Sequence, residues 1–209
     1  MRFIWLYSDR DAKIQEAVDL LNVGFSLTGI SFRLDDIRRY QNAAWFRQIE
    51  DESGSELRFE MISMSRTRIS GPSTLNVWTL GQSRTIGFAQ FPWHYAAAPQ
   101  TDGVVMQFNV VPGNNDAYRF GKSLIHEVGH WAGLYYTFDG GCDTSGGFVA
   151  DTPAQVNSTG VFGGCDATDT CPGRPGEDPV GNYMNYSSDV CRDHFTWGQV
   201  DRMWAALAT

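Results

Sequence analysis

The stretch His126-Glu127-Val128-Gly129-His130-Trp131-Ala132-Gly133 decides how the rest of this sequence is read. Two histidines four residues apart fall on one face of a helix, so both imidazoles aim at one point. A zinc ion accepts two such nitrogens at about 2.0–2.1 Å. Glu127, beside the first histidine, can reach a metal-bound water as general base, and zinc lowers the pKa of that water to about 7. The water would attack a polarised peptide carbonyl, and Glu127 would pass the proton to the leaving amine. The plain alternative is a pair of exposed helix histidines near a glutamate. Against it, the chain holds only 4 His, and two of them fall here, in an otherwise apolar helix beside a glycine. Buried His and Glu without a partner would be costly.

Working outward, the apolar positions Phe120, Leu124, Ile125, Val128 and Ala132 predict a helix from about Tyr118 to Gly133, with Gly133 ending it in a left-handed cap. Upstream, Leu75–Leu80 and Gly103–Phe108 read as strands bounded by Gly and Pro. Gly87–Pro92 reads as a short extended piece ended by proline, which suits a sheet edge. Met1–Tyr7 and the alternating Ile30, Phe32 and Leu34 also read as strands. Ser8-Asp9-Arg10-Asp11 looks like a capping box ahead of a helix carrying Ile14, Ala17, Val18, Leu21 and Phe25. Downstream, 134–195 is rich in Gly, Asp, Thr and Pro and holds every cysteine; so long an irregular segment needs cross-links or bound ions to stay ordered. A last helix starts near Thr196, with Val200, Met203, Trp204 and Leu207 on one face.

The 209 residues, 42% of them apolar, suffice for one domain or for two lobes sharing a cleft. Residues 1–125 carry 13 basic and 13 acidic side chains, and 126–209 carry 3 and 11, so the net charge of −8 belongs to the last part. Such a surface repels phosphate backbones and argues against nucleic acid. It suits cationic substrates or hard cations such as calcium, and it equally serves solubility. No apolar run is long enough to span a bilayer, so no membrane partner is expected. Cys142, Cys165, Cys171 and Cys191 form no C-x-x-C pair, which disfavours a zinc ribbon. Two disulfides fit an oxidising compartment better, and four cysteines allow three connectivities. The sequons Asn157-Ser158-Thr159 and Asn185-Tyr186-Ser187 are compatible with secretion. Secretion is therefore expected, with the signal and any pro-segment lying outside this sequence.

The string His126–Phe138 resembles the zinc signature of the pappalysin family of metzincin metallopeptidases. The resemblance extends to Leu75-Asn76-Val77-Trp78, Gly87–Pro92 and Asp102-Gly103-Val104-Val105 upstream. Downstream it takes in Asp151–Gln155, Asp169-Thr170-Cys171-Pro172, Asn182–Ser187 and Phe195–Gln199, and so covers nearly the whole chain. It implies an α+β catalytic domain over 1–209. An N-terminal subdomain, 1–133, would hold a twisted mixed sheet, two main helices and the zinc helix. An irregular disulfide-linked C-terminal subdomain, 134–209, would hold the Met-turn and end in a helix. By the same resemblance, Met184 would lie beneath the metal and Tyr186 would approach it or stabilise the tetrahedral intermediate. Cys142 would pair with Cys171, and Cys165 with Cys191. Asp189 would line the pocket for the side chain after the scissile bond and favour cleavage before Arg or Lys; it is otherwise one more surface aspartate. Asp139, Asp143 and Asp151 would contribute to calcium binding.

The departure from the pattern is Tyr136, which stands where the family has a third histidine. A phenolate can bind zinc, but an ordinary tyrosine titrates near about 10, so binding would compete with protons and weaken as pH falls. Alternatively Tyr136 points away and water fills the gap, or the change is inactivating. The sequence therefore supports a secreted zinc endopeptidase using His126, His130, Tyr136, Glu127 and Tyr186 on peptide or protein substrates. The competing reading is a non-catalytic metzincin-like binding module. The retained Glu127 argues for the former.

Overall fold

The computed structural model describes residues 2–5, 11–48, 56–64, 67–71, 73–81, 85–110, 112, 120–158 and 164–208. Ser8–Arg10 of the expected capping box lie outside them, as do Met1, Leu6, Tyr7, Tyr118, Arg119 and Thr159. The chain divides into two compact units, Met1–Trp131 and Ala132–Thr209.

The first unit is built on a five-stranded sheet in the order β2-β1-β3-β5-β4. Its strands are β1 (Arg2–Trp5), β2 (Asp36–Arg39), β3 (Asn76–Leu80), β4 (Gly87–Ala89) and β5 (Val104–Gln107). All pairs are parallel except β4 with β5, which is antiparallel and leaves β4 at the edge. β3 is buried along its whole length, as a central strand covered on both faces must be. Strand alternation sends Trp78, Leu80, Val105 and Phe88 to one face, where α2 (Ala43–Gln48) and α3 (Glu56–Ser63) supply Trp45, Met61 and Ile62. The other face takes α4 (Lys122–Trp131), and α1 (Asp11–Gly24) packs on α4. Here a glycine matters: a Cβ on Gly24 would stand 2.5 Å from Ile125 Cδ1, so the two helices meet this closely because Gly24 has no side chain.

Four expectations need correction. Helix α4, expected from about Tyr118, begins at Lys122, because Gly121 takes φ 68°, a left-handed conformation that no helix interior admits. Phe120, expected in its buried stripe, is therefore outside the helix and exposed. Ile30, Phe32 and Leu34 form no strand: both backbone groups of Phe32 are taken by the Asn22 side-chain amide, and the ladder begins at Asp36. Helices α2 and α3 were not anticipated. Both are short, and α3 has no continuous apolar stripe, with Phe59 exposed while Met61 and Ile62 are buried. The Asn42 side chain, which accepts from the N–H groups of Ala44 and Trp45, was the cap signal for α2.

The second unit is mostly irregular and ends in α5 (Trp197–Leu207). Thr196 and Gln199 close a capping box at its start, each side chain bonding the other's backbone. Val200 and Met203 are buried, but Trp204 is exposed, so the apolar face of α5 is narrower than the sequence suggested. Disulfides join Cys142 to Cys171 and Cys165 to Cys191. Among the described residues no helix is long and apolar enough to cross a membrane.

Candidate active site

In the first unit, α4 is enclosed on all sides: every residue from Ser123 to Trp131 is buried. His126 and His130 are each 4% exposed, and their Nε2 atoms stand 3.2 Å apart with the rings perpendicular. Two nitrogens held by one tetrahedral zinc would lie about 3.3 Å apart, from the usual bond length and angle. The pair therefore fits a zinc ion as it stands. Glu127 is buried beside them. The edge strand β4 passes directly over that carboxylate, since a Cβ on Gly87 would lie 2.8 Å from both Cγ and Oε1 of Glu127. Phe91, just beyond β4, sets its ring edge-on to His130 at 5.5 Å and stacks on Trp93 at 4.5 Å. Gly133, at φ 99°, occupies the left-handed conformation expected where the helix stops.

In the second unit, Tyr136 is half-buried in an aromatic cluster. Its ring stacks on Phe138 at 4.9 Å and meets Tyr186 edge-on at 5.1 Å. The Tyr136 N–H donates to Asp139 Oδ2 at 3.1 Å, which fixes the turn after it, and burial pushes the Asp139 carboxyl above its ordinary range. Thr137 N–H donates to the Met184 carbonyl at 3.2 Å, so the segment carrying Tyr136 is tied to the turn at Met184. Met184 itself is fully buried.

A buried amide network shapes that turn. Asn182 and Gln199 exchange side-chain hydrogen bonds at 2.7 and 3.1 Å, and Asn182 Oδ1 also accepts from Met184 N–H at 2.9 Å. Gln155 Oε1 accepts from both Thr137 and Asn185, at 3.1 Å each. The motifs 151–155, 182–187 and 195–199 thus act on one another, and satisfied polar groups at this burial give a single arrangement. The sequence marks these motifs but not the roles of Gln155 and Gln199; for Gln199 the Thr196-x-x-Gln199 spacing of a capping box was the available signal.

Asp189 is not a surface aspartate. It is 1% exposed, and Oδ1 accepts from Arg192 Nη2 at 2.5 Å, so its charge is offset within the chain. Asp139, Asp143 and Asp151 are not gathered. Asp143 is exposed, and Asp151 accepts from Gly198 N–H at 2.8 Å. Among the described residues no three or more His, Cys, Asp or Glu side chains are grouped to hold a metal.

A family model described as pregnancy-associated plasma protein-A, peptidase family M43, matches residues 74–208. An extracellular metalloprotease of Verticillium alfalfae is 36% identical over 203 residues, covering 94% of this chain and 69% of its own length. One of Pyricularia oryzae is 37% identical, covering 95% and 68%. Mature mirolysin of Tannerella forsythia, solved with a cleaved peptide, superposes with a TM-score of 0.79 at 26% identity, covering 97% of this chain and 88% of that one. The fold is thus the mirolysin-like metzincin fold, with its mixed sheet, central helix and cross-linked irregular segment. A zinc-fitting histidine pair, the match over 74–208 and relatives more than one-third identical all agree: this chain belongs to the pappalysin family of metzincin metallopeptidases.

Proposed function

We propose that this chain is a zinc-dependent endopeptidase acting outside the cell on peptide or protein substrates. The observation that carries this reading is the 3.2 Å approach of the His126 and His130 Nε2 atoms, with Glu127 buried beside them. The extracellular relatives and the cleaved peptide in the mirolysin complex support it.

When bound, zinc supplies a Lewis acid that polarises the scissile carbonyl and acidifies water. His126 and His130 offer neutral nitrogen donors, and Tyr136 is the proposed third donor through its phenolate oxygen. Glu127 takes the proton of the attacking water and delivers it to the leaving amine. An extended substrate adds to the outer edge of β4, exchanging backbone hydrogen bonds with 87–89. The Tyr186 phenol donates to the oxyanion as charge builds there, and Met184 packs as the floor of the turn. Asp189 is proposed to favour Arg or Lys after the scissile bond; because Arg192 already offsets its charge, the preference should be shallow.

One observation favours a second reading. The stacking of Tyr136 on Phe138 suits a packing ring as well as a ligand, and a site with two histidines alone would make an impaired, binding-only module. Zinc removal separates the two. The purified chain should hold about one zinc, lose peptide cleavage on chelation and regain it when zinc is returned. Zinc held without cleavage supports the binding module. Cleavage that survives complete zinc removal ends the metallopeptidase reading.

A further inference from the structure

Trp131 follows His130 directly and closes α4, and its indole Nε1–H donates to Asp102 Oδ1 at 2.8 Å. Asp102 is 2% exposed. Burial pushes its carboxyl up to about 6, against the opposing effects of the Trp131 hydrogen bond and of Arg68. Arg68 is also buried, and Asp102 Oδ2, Arg68 Nε and Arg68 Nη2 make no hydrogen bond among the described residues. A carboxylate is a costly way to fill such a position, and an apolar side chain would serve packing at less expense. What the carboxylate adds is a directional, charge-assisted bond to the indole.

That bond joins two elements that bear on the chemistry. Asp102 lies immediately before Gly103, which takes φ 141° and comes so close to β3 that a Cβ there would stand 2.4 Å from the Asn76 carbonyl oxygen. From this pinned turn runs β5, which pairs with β4 in the register Met106 with Gly87. Gly87 lies against Glu127. On the helix side, Trp131 is one residue from His130 and four from Glu127.

We infer that Asp102, acting through the Trp131 indole, is a positioning residue that sets how α4 is rotated against β5 and β4, and thereby where His130 and Glu127 point. This rests on the metallopeptidase reading above. A helix free to roll would spread the histidine nitrogens over more directions and move Glu127 away from the strand that holds substrate. A misplacement of about 1 Å is enough to slow catalysis about a hundredfold.

The test uses the full chain loaded with zinc. Trp131→Phe keeps a ring and removes the N–H; Asp102→Ala removes the acceptor; the double variant removes both. Each is measured for kcat and KM on one peptide and for the half-life of zinc loss to excess chelator, with an unfolding curve to establish that it is folded. Each single change should lower kcat about tenfold, leave KM within about twofold and shorten the zinc half-life. The double variant should be no slower than the slower single one, because both remove the same bond. A folded Trp131→Phe with wild-type kcat and zinc half-life overturns the inference, and so does a double variant whose losses multiply. If Asp102→Ala does not fold, Trp131→Phe decides alone. Failure of the broader reading looks different, since the wild type would then neither keep zinc nor cleave peptide, and the inference would fall with it.

Discussion

The rings of Tyr136 and Tyr186 meet edge to face, 5.1 Å between centroids and inclined at 74°. The residue in the family's third-histidine position thus touches the tyrosine proposed to stabilise the oxyanion. If the Tyr136 phenolate binds zinc, protons compete with the metal, and retention weakens as pH falls. Tyr136→His should hold zinc to lower pH, and Tyr136→Phe should weaken zinc binding more than about tenfold. Chelator competition across pH 5–8 checks this. Unchanged retention in both variants would mean that Tyr136 only packs.

Gly87 leaves no room for a side chain over Glu127, with 2.8 Å from the added carbon to Oε1. Gly87→Ala must push that carboxylate aside or lift the edge strand. We expect kcat to fall about 10- to 100-fold with zinc content unchanged. Wild-type turnover in a folded Gly87→Ala chain would show that the carboxylate has room to give.

The helix of the histidine pair, the central strands and the closing helix could be read from the sequence because their signals are local: a four-residue histidine spacing, apolar strands between Gly and Pro, and a capping Thr196. What escaped depended on distant partners. The alternation at Ile30, Phe32 and Leu34 looked like a strand, but Asn22 takes the backbone bonds of Phe32. Phe120 continued an apolar stripe, yet Gly121 turns the chain before the helix begins. The clip from Trp131 to Asp102 spans 29 residues, and no local pattern announces it. The pairing of Asp189 with Arg192 is short-range, but its burial depends on the folded chain around it, so the sequence left Asp189 open between a pocket residue and a surface aspartate.

Asp102 also gives a pH prediction. Its carboxyl is lifted to about 6 in the folded chain, above the unfolded value, mainly by burial. The folded state therefore binds more protons than the unfolded state between about pH 4 and 6, so Asp102's contribution is fully present below the unfolded pKa and is lost as pH rises through about 6. Asp102→Asn has no such titration. In metal-free protein its stability relative to wild type should rise by about 2 kcal/mol between pH 4 and pH 7. Paired urea unfolding at the two pH values measures this, and a difference that does not change with pH contradicts it.

Removing one disulfide should destabilise the second unit strongly, since Cys142 and Cys171 are 29 residues apart in sequence. The chain-entropy estimate for a loop of that length is about 3–4 kcal/mol. Cys142→Ser with Cys171→Ser should lower the denaturation midpoint accordingly, and a loss under about 1 kcal/mol would mean that the amide network around Gln155 and Asn182 suffices without the cross-link.

The central claim is that Glu127 moves the proton while the histidine pair holds the metal. Glu127→Gln keeps the shape of the side chain and removes the base. Wild type and variant, matched for zinc content, should be followed on one peptide under identical conditions. Equal zinc and a fall in kcat of about 10²–10⁴-fold are expected for Glu127→Gln. Equal cleavage by the two proteins at equal zinc would contradict it.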